Sequence, residues 1–180
     1  MKNFIFLSFT LIVSVFAQAQ EKPNTEAPKD YSAHVLTIDS TIKSFYAVIS
    51  GEKAVERDWN LFKFLFYKNA KLIPAGKDKE GYPVVNYMKP GDYIKNAEKW
   101  MVENGFFEQE ISRTVQEFGN MAHVFSTYEA YHNEEEEKPF MRGINSIQLF
   151  NDGKRWWIVN VYWTHETKNN PIPDAFLMVN

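Results

Sequence analysis

Residues 143–166 constrain the fold of this chain more than any other stretch, because they predict a long β-hairpin. Asn151-Asp152-Gly153 forms the predicted turn, since Asp and Gly tolerate the positive φ angles of tight hairpin turns. Both arms are rich in Ile, Val, Trp, Tyr and Phe, which suit a pleated surface. A two-residue turn centred on Asp152 and Gly153 predicts three cross-strand pairs: Leu149 with Trp156, Ile147 with Ile158, and Asn145 with Asn160.

The alternation of side chains assigns the two faces of this hairpin. The three predicted pairs share one face with Gly143 and Tyr162, so that two opposed Asn residues lie among bulky apolar ones. This composition is typical of a pocket wall, and it equally fits a hydrogen-bonded Asn pair in an ordinary core. Because both faces are largely apolar, we expect both to be covered. The opposite face carries Ile144, Phe150, Trp157, Val159, Val161 and Trp163.

Helical spacing precedes the strands. A helix is predicted over residues 34–50, where one apolar stripe consists of Ile38, Ile42, Phe45 and Ile49. Two further helices are predicted at about residues 54–66 and 92–104. Asp92 is the predicted N-cap of the last helix, and Gly105 is predicted to end it.

The remaining segments predict strands and one irregular connection. A short strand is expected over residues 70–74, and the Gly- and Pro-containing residues 75–91 are expected to be an irregular loop. Residues 106–118 and 121–132 predict two strands joined by a Gly119-Asn120 turn. This order of elements predicts an α+β domain, with helices packed on one face of a curved antiparallel sheet. The turn predicts the pairs Phe118 with Met121, Val115 with Val124, Arg113 with Ser126, and Ile111 with Tyr128.

The N-terminus has the three parts of a secretory signal peptide over residues 1–19. Lys2 gives the positive start, an apolar run follows, and Ala17-Gln18-Ala19 provides a small-x-small cleavage site. An uncleaved anchor is the alternative. Residues 20–33 are polar and predict a flexible linker, which leaves residues 34–180 as the folded domain. We therefore expect a periplasmic or secreted protein that has no membrane contact after cleavage.

Composition excludes several classes of function. The sequence has no cysteine, which excludes disulfides, thiolate metal sites and a Cys nucleophile. Stability must then come from the core, and 44% hydrophobic and 16% aromatic residues are an adequate supply. A net charge of −3 without a Lys/Arg cluster gives no footprint for nucleic acid.

The order of elements and several short motifs resemble the nuclear transport factor 2-like superfamily and, within it, the SnoaL-like proteins. The motifs are Ile49-Ser50-Gly51, Arg57-Asp58-Trp59, Leu65-Phe66, and residues 117–122 and 152–159. The resemblance covers most of residues 34–180. It implies a cone-shaped fold in which the curved sheet, with three N-terminal helices on its concave face, encloses a pocket. The superfamily contains isomerases, dehydratases, cyclases and binding domains, so the resemblance implies no single chemistry.

The resemblance also indicates where a catalytic base would be expected. Enzymes of the superfamily that resemble ketosteroid isomerase or polyketide cyclase use a carboxylate or His base, and one such base lies just after the second helix. Residues 66–70 at that place contain no acid. Isomerase-type proton transfer would therefore need a base elsewhere on the pocket wall.

Motifs for metal, nucleotide or nucleophile chemistry are absent from the sequence. His34, His123, His132 and His165 have no zinc-type spacing, and no Gly-x-Ser-x-Gly, P-loop or dinucleotide motif occurs. Residues 134–137 are interpreted as a solvated acidic loop, with cation chelation together with His132 as the alternative. We expect neither a metal nor a cofactor.

The predicted registers place a small group of polar residues on one concave, otherwise apolar face, which is typical of a small-molecule site. Arg113 is predicted to hold a carboxylate of the ligand, or else to form an ion pair with Glu117 or Glu129. The full predicted ligand-binding set is Arg113, Tyr128, Asn145, Asn160 and Tyr162, with Tyr46 and Trp59 reaching it from the helices.

Three functional hypotheses follow from this pocket. The leading one is an exported, cofactor-free domain that binds a small, partly apolar molecule. The second is an enzyme of the isomerase, dehydratase or cyclase type, which a desolvated acid or His in an open cavity would favour. The third is an interaction domain whose pocket is filled by its own side chains.

The apolar outer face of the hairpin predicts self-association. An uncovered patch of this kind is unfavourable in water, and a two-fold homodimer would bury the same patch on each subunit. The related folds that the sequence resembles often pair through this side of the sheet.

Overall fold

The computed structural model describes residues 29–177, and the predicted signal peptide and most of the predicted linker lie outside them. Within this range the chain forms three α-helices: α1 (Ile38–Ile49), α2 (Trp59–Leu65) and α3 (Pro90–Asn104). In the same part of the chain, no helix is long and apolar enough to cross a membrane.

Local capping fixes the helix boundaries. Thr37 and Ser40 form a capping box at the start of α1, and the Asp58 carboxylate accepts from Leu61 N at the start of α2. Asp92 occupies the third position of α3 rather than its cap, and Gly105 ends that helix with a φ of 76° as predicted. α2 is shorter than predicted, because Asp58 begins it and residue 66 already has extended backbone.

Residues 29–177 also form a six-stranded mixed sheet in the order β2-β1-β6-β5-β4-β3. The β1–β6 pair is parallel and the other neighbours are antiparallel, so the sheet is mixed rather than wholly antiparallel. The predicted α+β class is confirmed, with a curved sheet whose helix-covered side we call the concave face. The strands are β1 (Phe66–Lys77), β2 (Pro83–Val85), β3 (Phe107–Phe118), β4 (Met121–Tyr131), β5 (Met141–Asn151) and β6 (Trp156–His165).

The β3–β4 hairpin has the predicted turn and, near that turn, the predicted register. Phe118 pairs with Met121, and Arg113 pairs with Ser126. A β-bulge between Glu110 and Ser112 then shifts the register, so that Glu110 rather than Ile111 pairs with Tyr128.

The predicted register of the β5–β6 hairpin is wrong. Asn151 pairs with Trp156, which makes the connection four residues long instead of two. The Asp152 carboxylate holds this loop by accepting from the backbone N–H groups of Lys154 and Arg155. A second irregularity, between Gln148 and Leu149, shifts the register once more.

The second shift changes which side chains share a face, whereas the first moves the pairing by two residues and leaves the faces as predicted. Asn145 lies opposite Trp163, and Asn160 lies opposite Gln148, so the predicted Asn145–Asn160 pair does not form. Val161 and Trp163 belong to the concave face, where Val161 is buried in the core. The outer patch predicted for a homodimer is therefore reduced, and its remaining members are Ile144, Phe150, Trp157 and Val159.

Candidate functional site

A cavity of about 170 Å³ lies between the concave face of the sheet and the helices α1 and α3. Most of its wall is apolar, and the polar side chains on it belong to Glu108, Tyr128, Asn145 and His165. The apolar wall consists of Phe45, Ile49, Leu72, Tyr93, Met101, Phe106, Met141, Val161 and Trp163.

Glu108 is the acid of this cavity. Its backbone N–H donates to Ser50 Oγ over 2.9 Å, which ties the start of β3 to the end of α1. Its carboxyl Oε1 accepts a hydrogen bond from Asn145 Nδ2 over 3.1 Å. Burial raises the pKa of Glu108 to about 8, although the bond from Asn145 acts in the opposite direction. A carboxyl with this pKa is present in both its protonated and its ionised form near neutral pH, whereas an exposed Glu is almost entirely ionised.

Glu108 also has a route to solvent. The same residue borders a cleft of about 490 Å³ that is lined by Ser50, Tyr131, Asn133 and Glu136, among others. A group at this position can take up a proton from water and present it to the cavity.

Tyr128 and His165 form a second polar pair on the wall. The Tyr128 hydroxyl lies 2.8 Å from His165 Nδ1. Burial raises the pKa of Tyr128 and lowers the pKa of His165, so both side chains are neutral at pH 7. If Tyr128 donates its hydrogen to His165 Nδ1, the His165 Nε2–H is free to donate to a ligand. If His165 Nδ1–H donates to Tyr128 instead, the Tyr128 O–H is free to do so.

Gly143 makes room for this pair. It lies opposite His165 in the β5–β6 hairpin and opposite Tyr128 in the β4–β5 pair. A Cβ at this position would be 2.5 Å from the Tyr128 hydroxyl oxygen and 2.5 Å from Thr164 O. The close approach of the phenol to the backbone requires a residue without a side chain.

A buried hydrogen-bond chain continues from Asn145 away from the cavity. Asn145 Nδ2 also donates to the Tyr46 hydroxyl over 3.1 Å, and that hydroxyl lies 2.7 Å from Ser126 Oγ. Ser126 Oγ donates to Glu110 Oε1 over 2.5 Å, and Glu110 Oε2 accepts from Arg113 Nε over 2.8 Å. Ser126 and Asn145 are buried polar residues, and this series of hydrogen bonds provides partners for their side chains.

The structure brings together part of the sequence-predicted site. Tyr128 and Asn145 line the cavity, and Tyr46 contacts Asn145 behind it. Arg113 is engaged by Glu110 and by Asp39, whose Oδ1 lies 3.4 Å from the guanidinium, so its partners are neither Glu117 nor Glu129.

Like Arg113, three more of the predicted site residues do not line the cavity. Trp59 donates its indole N–H to Glu98 Oε1 over 2.6 Å and packs on Phe62. Asn160 and Tyr162 lie on the convex face, where Tyr162 is 43% exposed. Their expected place on the pocket wall is wrong because the irregularity between Gln148 and Leu149 reverses the facing of β6 beyond Ile158.

Sequence reasoning missed Glu108 and His165 for one shared reason. In each strand the predicted alternation assigned the residue to the outer face, and a register shift between the turn and that residue moves it to the concave face. Glu108 is followed by Gln109 and Glu110, so its charge does not stand out in the sequence, and no turn residue marks either shift.

Residues 29–177 contain no group of three or more His, Asp or Glu side chains that could hold a metal ion.

Comparison with known proteins identifies the fold. No protein-family model matches the sequence, and no curated protein sequence matches it either. A nuclear transport factor 2-like protein of unknown function from Pseudomonas putida superposes with a TM-score of 0.55 at 11% identity, covering 76% of this chain and 90% of that chain. A putative scytalone dehydratase from Novosphingobium aromaticivorans gives 0.54 at 13% identity, with 72% and 82% coverage. A protein of unknown function from Mycobacterium tuberculosis gives 0.57 at 12% identity, with 74% and 73% coverage.

These similarities concern the fold alone, and they confirm the nuclear transport factor 2-like fold that the sequence resembles. Solved structures with this fold include the putative scytalone dehydratase and several proteins of unknown function.

Proposed function

We propose that this protein is an enzyme that moves a proton on a small, mostly apolar substrate, as isomerases and dehydratases do, and that Glu108 is the proton-transferring group. One observation carries the proposal: an acid whose pKa is raised to about 8 lies on the wall of an apolar cavity. A general base or acid works best when its pKa is close to the working pH. The pairing of a perturbed acid with a cavity is typical of active sites.

The reaction would proceed without a covalent intermediate. Ionised Glu108 removes a proton from a carbon next to a carbonyl group, and the electron pair of that C–H bond moves toward the carbonyl oxygen. Tyr128 or His165 donates a hydrogen bond to this oxygen as its negative charge develops. Glu108 then returns the proton to another carbon, which completes an isomerisation, or to a departing hydroxyl group, which completes a dehydration.

The cavity limits the substrate. A dry cavity of about 150 Å³ is enough to hold benzene, so the volume here of about 170 Å³ suits a single ring or a short branched chain. Of the described residues, those lining the cavity include no Lys or Arg. The proposal therefore favours an uncharged carbonyl compound over the anionic ligand that Arg113 suggested from the sequence.

Deuterium exchange tests the proposal without knowledge of the natural substrate. Small cyclic ketones and enones are first ranked by how much they raise the melting temperature, since ligands of the native state stabilise it. Those that bind are incubated with the protein in D2O, and NMR follows the loss of the α-hydrogens. We expect exchange that Glu108→Gln slows by about 100-fold or more, because general base catalysis contributes that much.

The matched control for Glu108→Gln replaces a carboxylate that lies outside the cavity. Glu98→Gln removes a carboxylate that contacts Trp59 outside the cavity and should leave exchange unchanged. Equal exchange by the wild type and Glu108→Gln would refute the role of Glu108. Ligands that stabilise the protein without any exchange would instead support a binding domain, the leading alternative from the sequence.

We also propose that the chain is exported and cleaved after Ala19, as the N-terminal pattern indicates. The residues concerned lie outside those described. N-terminal sequencing of protein recovered from its native cell should begin at Gln20, and recovery of intact Met1 from the mature pool would contradict export with cleavage.

A further inference from the structure

The buried hydrogen-bond chain between Glu108 and Arg113 has a single consistent direction. Glu110 is held by the Arg113 guanidinium and acts as a carboxylate, so it can only accept hydrogen bonds. Ser126 has one hydroxyl hydrogen, and Glu110 takes it. The Tyr46 hydroxyl must therefore donate to Ser126.

The donor–acceptor direction of these bonds also fixes the orientation of Asn145 at the cavity. Because Tyr46 donates its hydroxyl hydrogen to Ser126, its oxygen accepts a hydrogen bond from Asn145. The side-chain nitrogen of Asn145, not its oxygen, must then face Tyr46. That nitrogen also faces Glu108, so the Asn145 amide donates one hydrogen to each neighbour.

We propose that Glu110, clamped by Arg113, is a remote positioning residue that fixes the orientation of the Asn145 amide and thereby sets how readily Glu108 gives up its proton. The proposal rests on the proposed function in treating Glu108 as the proton-transferring group. Glu110 does not line the cavity, and it acts through Ser126, Tyr46 and Asn145 in turn.

Glu110→Gln should reverse the donor–acceptor direction of every hydrogen bond from residue 110 to Glu108. Arg113 offers only donors, so the new side chain presents its carbonyl oxygen to Arg113 and its amide nitrogen to Ser126. Ser126 then donates to Tyr46, and Tyr46 donates to Asn145. The Asn145 amide turns over, and its oxygen faces a Glu108 carboxyl that keeps its proton in order to donate.

A purely electrostatic effect of the same substitution has the opposite sign. Removing the negative charge of Glu110 leaves Arg113 less well neutralised, which favours ionised Glu108. The other titratable groups near Glu108 are Tyr46 on α1, Tyr93 on α3, Tyr128 and Tyr131 on β4, His165 on β6, and Glu134 and Glu136 in the acidic loop. The Glu110→Gln substitution changes none of them.

A double-mutant cycle measures the chain separately from the charge. The proton affinity of Glu108 is read in ligand-free protein from the ¹³C shift of its side-chain carboxyl, assigned by comparison with Glu108→Gln. Glu110→Gln is introduced into the wild type and into Tyr46→Phe, which keeps the ring but cuts the chain. In the cut background only the through-space charge effect remains.

We expect Glu110→Gln to raise the proton affinity of Glu108 about tenfold more in the wild type than in Tyr46→Phe, since a reversed charge-assisted hydrogen bond has roughly this effect. Equal shifts in the two backgrounds would overturn the proposal. Ser126→Ala cuts the chain at a second point and should give the same result as Tyr46→Phe, which guards against a local packing effect.

Activity measurements keep this proposal distinct from the proposed function. If Glu110→Gln changes the proton affinity of Glu108 more in the wild type than in Tyr46→Phe, but no deuterium exchange occurs, the positioning chain is supported and the enzyme is refuted. If deuterium exchange depends on Glu108, but Glu110→Gln has equal effects on its proton affinity in the two backgrounds, the enzyme is supported and the positioning chain is refuted.

Discussion

Asn145 Nδ2 lies 3.1 Å from Glu108 Oε1 and is the hydrogen-bond donor that stabilises the charged form of this half-buried acid. The bond joins two strands that are not neighbours, because β5 and β3 are separated by β4 in the sheet. The curvature of the concave face thus allows a residue in the middle of the sheet to adjust an acid on its edge strand.

The first prediction concerns the pH dependence of proton transfer. If ionised Glu108 is the base, kcat/KM should rise tenfold for each pH unit below about 8 and level off above it. Asn145→Leu removes the donor, so the midpoint should move to a higher pH. Asn160→Leu is the matched control on the convex face and should leave the midpoint in place. A midpoint that Asn145→Leu does not move would contradict this assignment.

The second prediction concerns stability against pH. The pKa of Glu108 is raised from 4.5 to about 8 in the folded protein, so folding favours the protonated form. Its contribution to stability is complete below about pH 4.5 and is lost as the pH rises through about 8. Glu108→Gln lacks this dependence.

Thermal melts of both proteins between pH 4 and pH 9 test this sign, with those limits chosen to span roughly the two pKa values. The melting temperature of Glu108→Gln relative to wild type should rise with pH and become constant above the folded pKa. A difference that is constant with pH would show that Glu108 titrates as an ordinary acid. The difference is informative because other groups, such as His165, contribute equally to both melts.

The third prediction uses two glycines in strands. Gly143→Ala places a Cβ within 2.5 Å of Tyr128 Oη, so it should displace the phenol, lower exchange activity and cost about 1–3 kcal/mol of stability. Gly76→Ala is the control, because a Cβ at that position has no neighbour within 4 Å. Urea denaturation and the exchange assay measure both effects. Equal stability and activity of the two variants would contradict the close approach.

The fourth prediction concerns Arg57, whose guanidinium is buried and donates to backbone carbonyls. Its acceptors include Ile49 O over 3.1 Å and Gly51 O over 2.6 Å, and it also bonds to Val55 O. These bonds hold the segment between α1 and α2, whose preceding residue Ile49 lines the cavity. Arg57→Lys keeps the charge but loses the planar fork, so several carbonyls lose their partner.

We expect Arg57→Lys to lower the free energy of unfolding by about 2–4 kcal/mol, as unsatisfied buried groups do. Lys43→Ala removes an exposed cation that pairs with Asp39 and should change it by no more than about 0.5 kcal/mol. Urea denaturation measures both. A loss for Arg57→Lys no greater than that of the control would contradict the structural role.

The fifth prediction is the homodimer through the outer sheet face. Phe150 and Trp157 lie opposite each other there, and the Tyr67 ring packs edge-to-face on both. Part of this face is covered by the C-terminal segment, where Phe176 packs on Phe125. Light scattering should give a dimer that Phe150→Glu dissociates, while Tyr82→Glu, at a 68% exposed loop position, has no effect. A monomeric wild type at high concentration would refute the dimer.

The sequence by itself determined the helices, the four long strands and their order. It did not determine β2 or the full length of β1, which fall partly in the residues expected to be an irregular loop. The apolar stripe of α1, the Gly105 end of α3 and the Gly119-Asn120 turn depend on residues close together in the chain, and local backbone preferences settle such features. These elements were enough to predict the α+β class and the resemblance to the nuclear transport factor 2-like fold. Near a turn, the register is also a local property, which is why Arg113 and Ser126 were paired correctly.

Only the tertiary structure decided which side chains enter the cavity. The side-chain period of a strand is two, so one extra residue reverses every assignment beyond it. The bulge near Ile111 brings Glu108 and Glu110 to the concave face, and the irregularity near Val159 brings Trp163 and His165 there. Such shifts depend on how a curved sheet accommodates the helices packed on it, and no short run of residues encodes that packing.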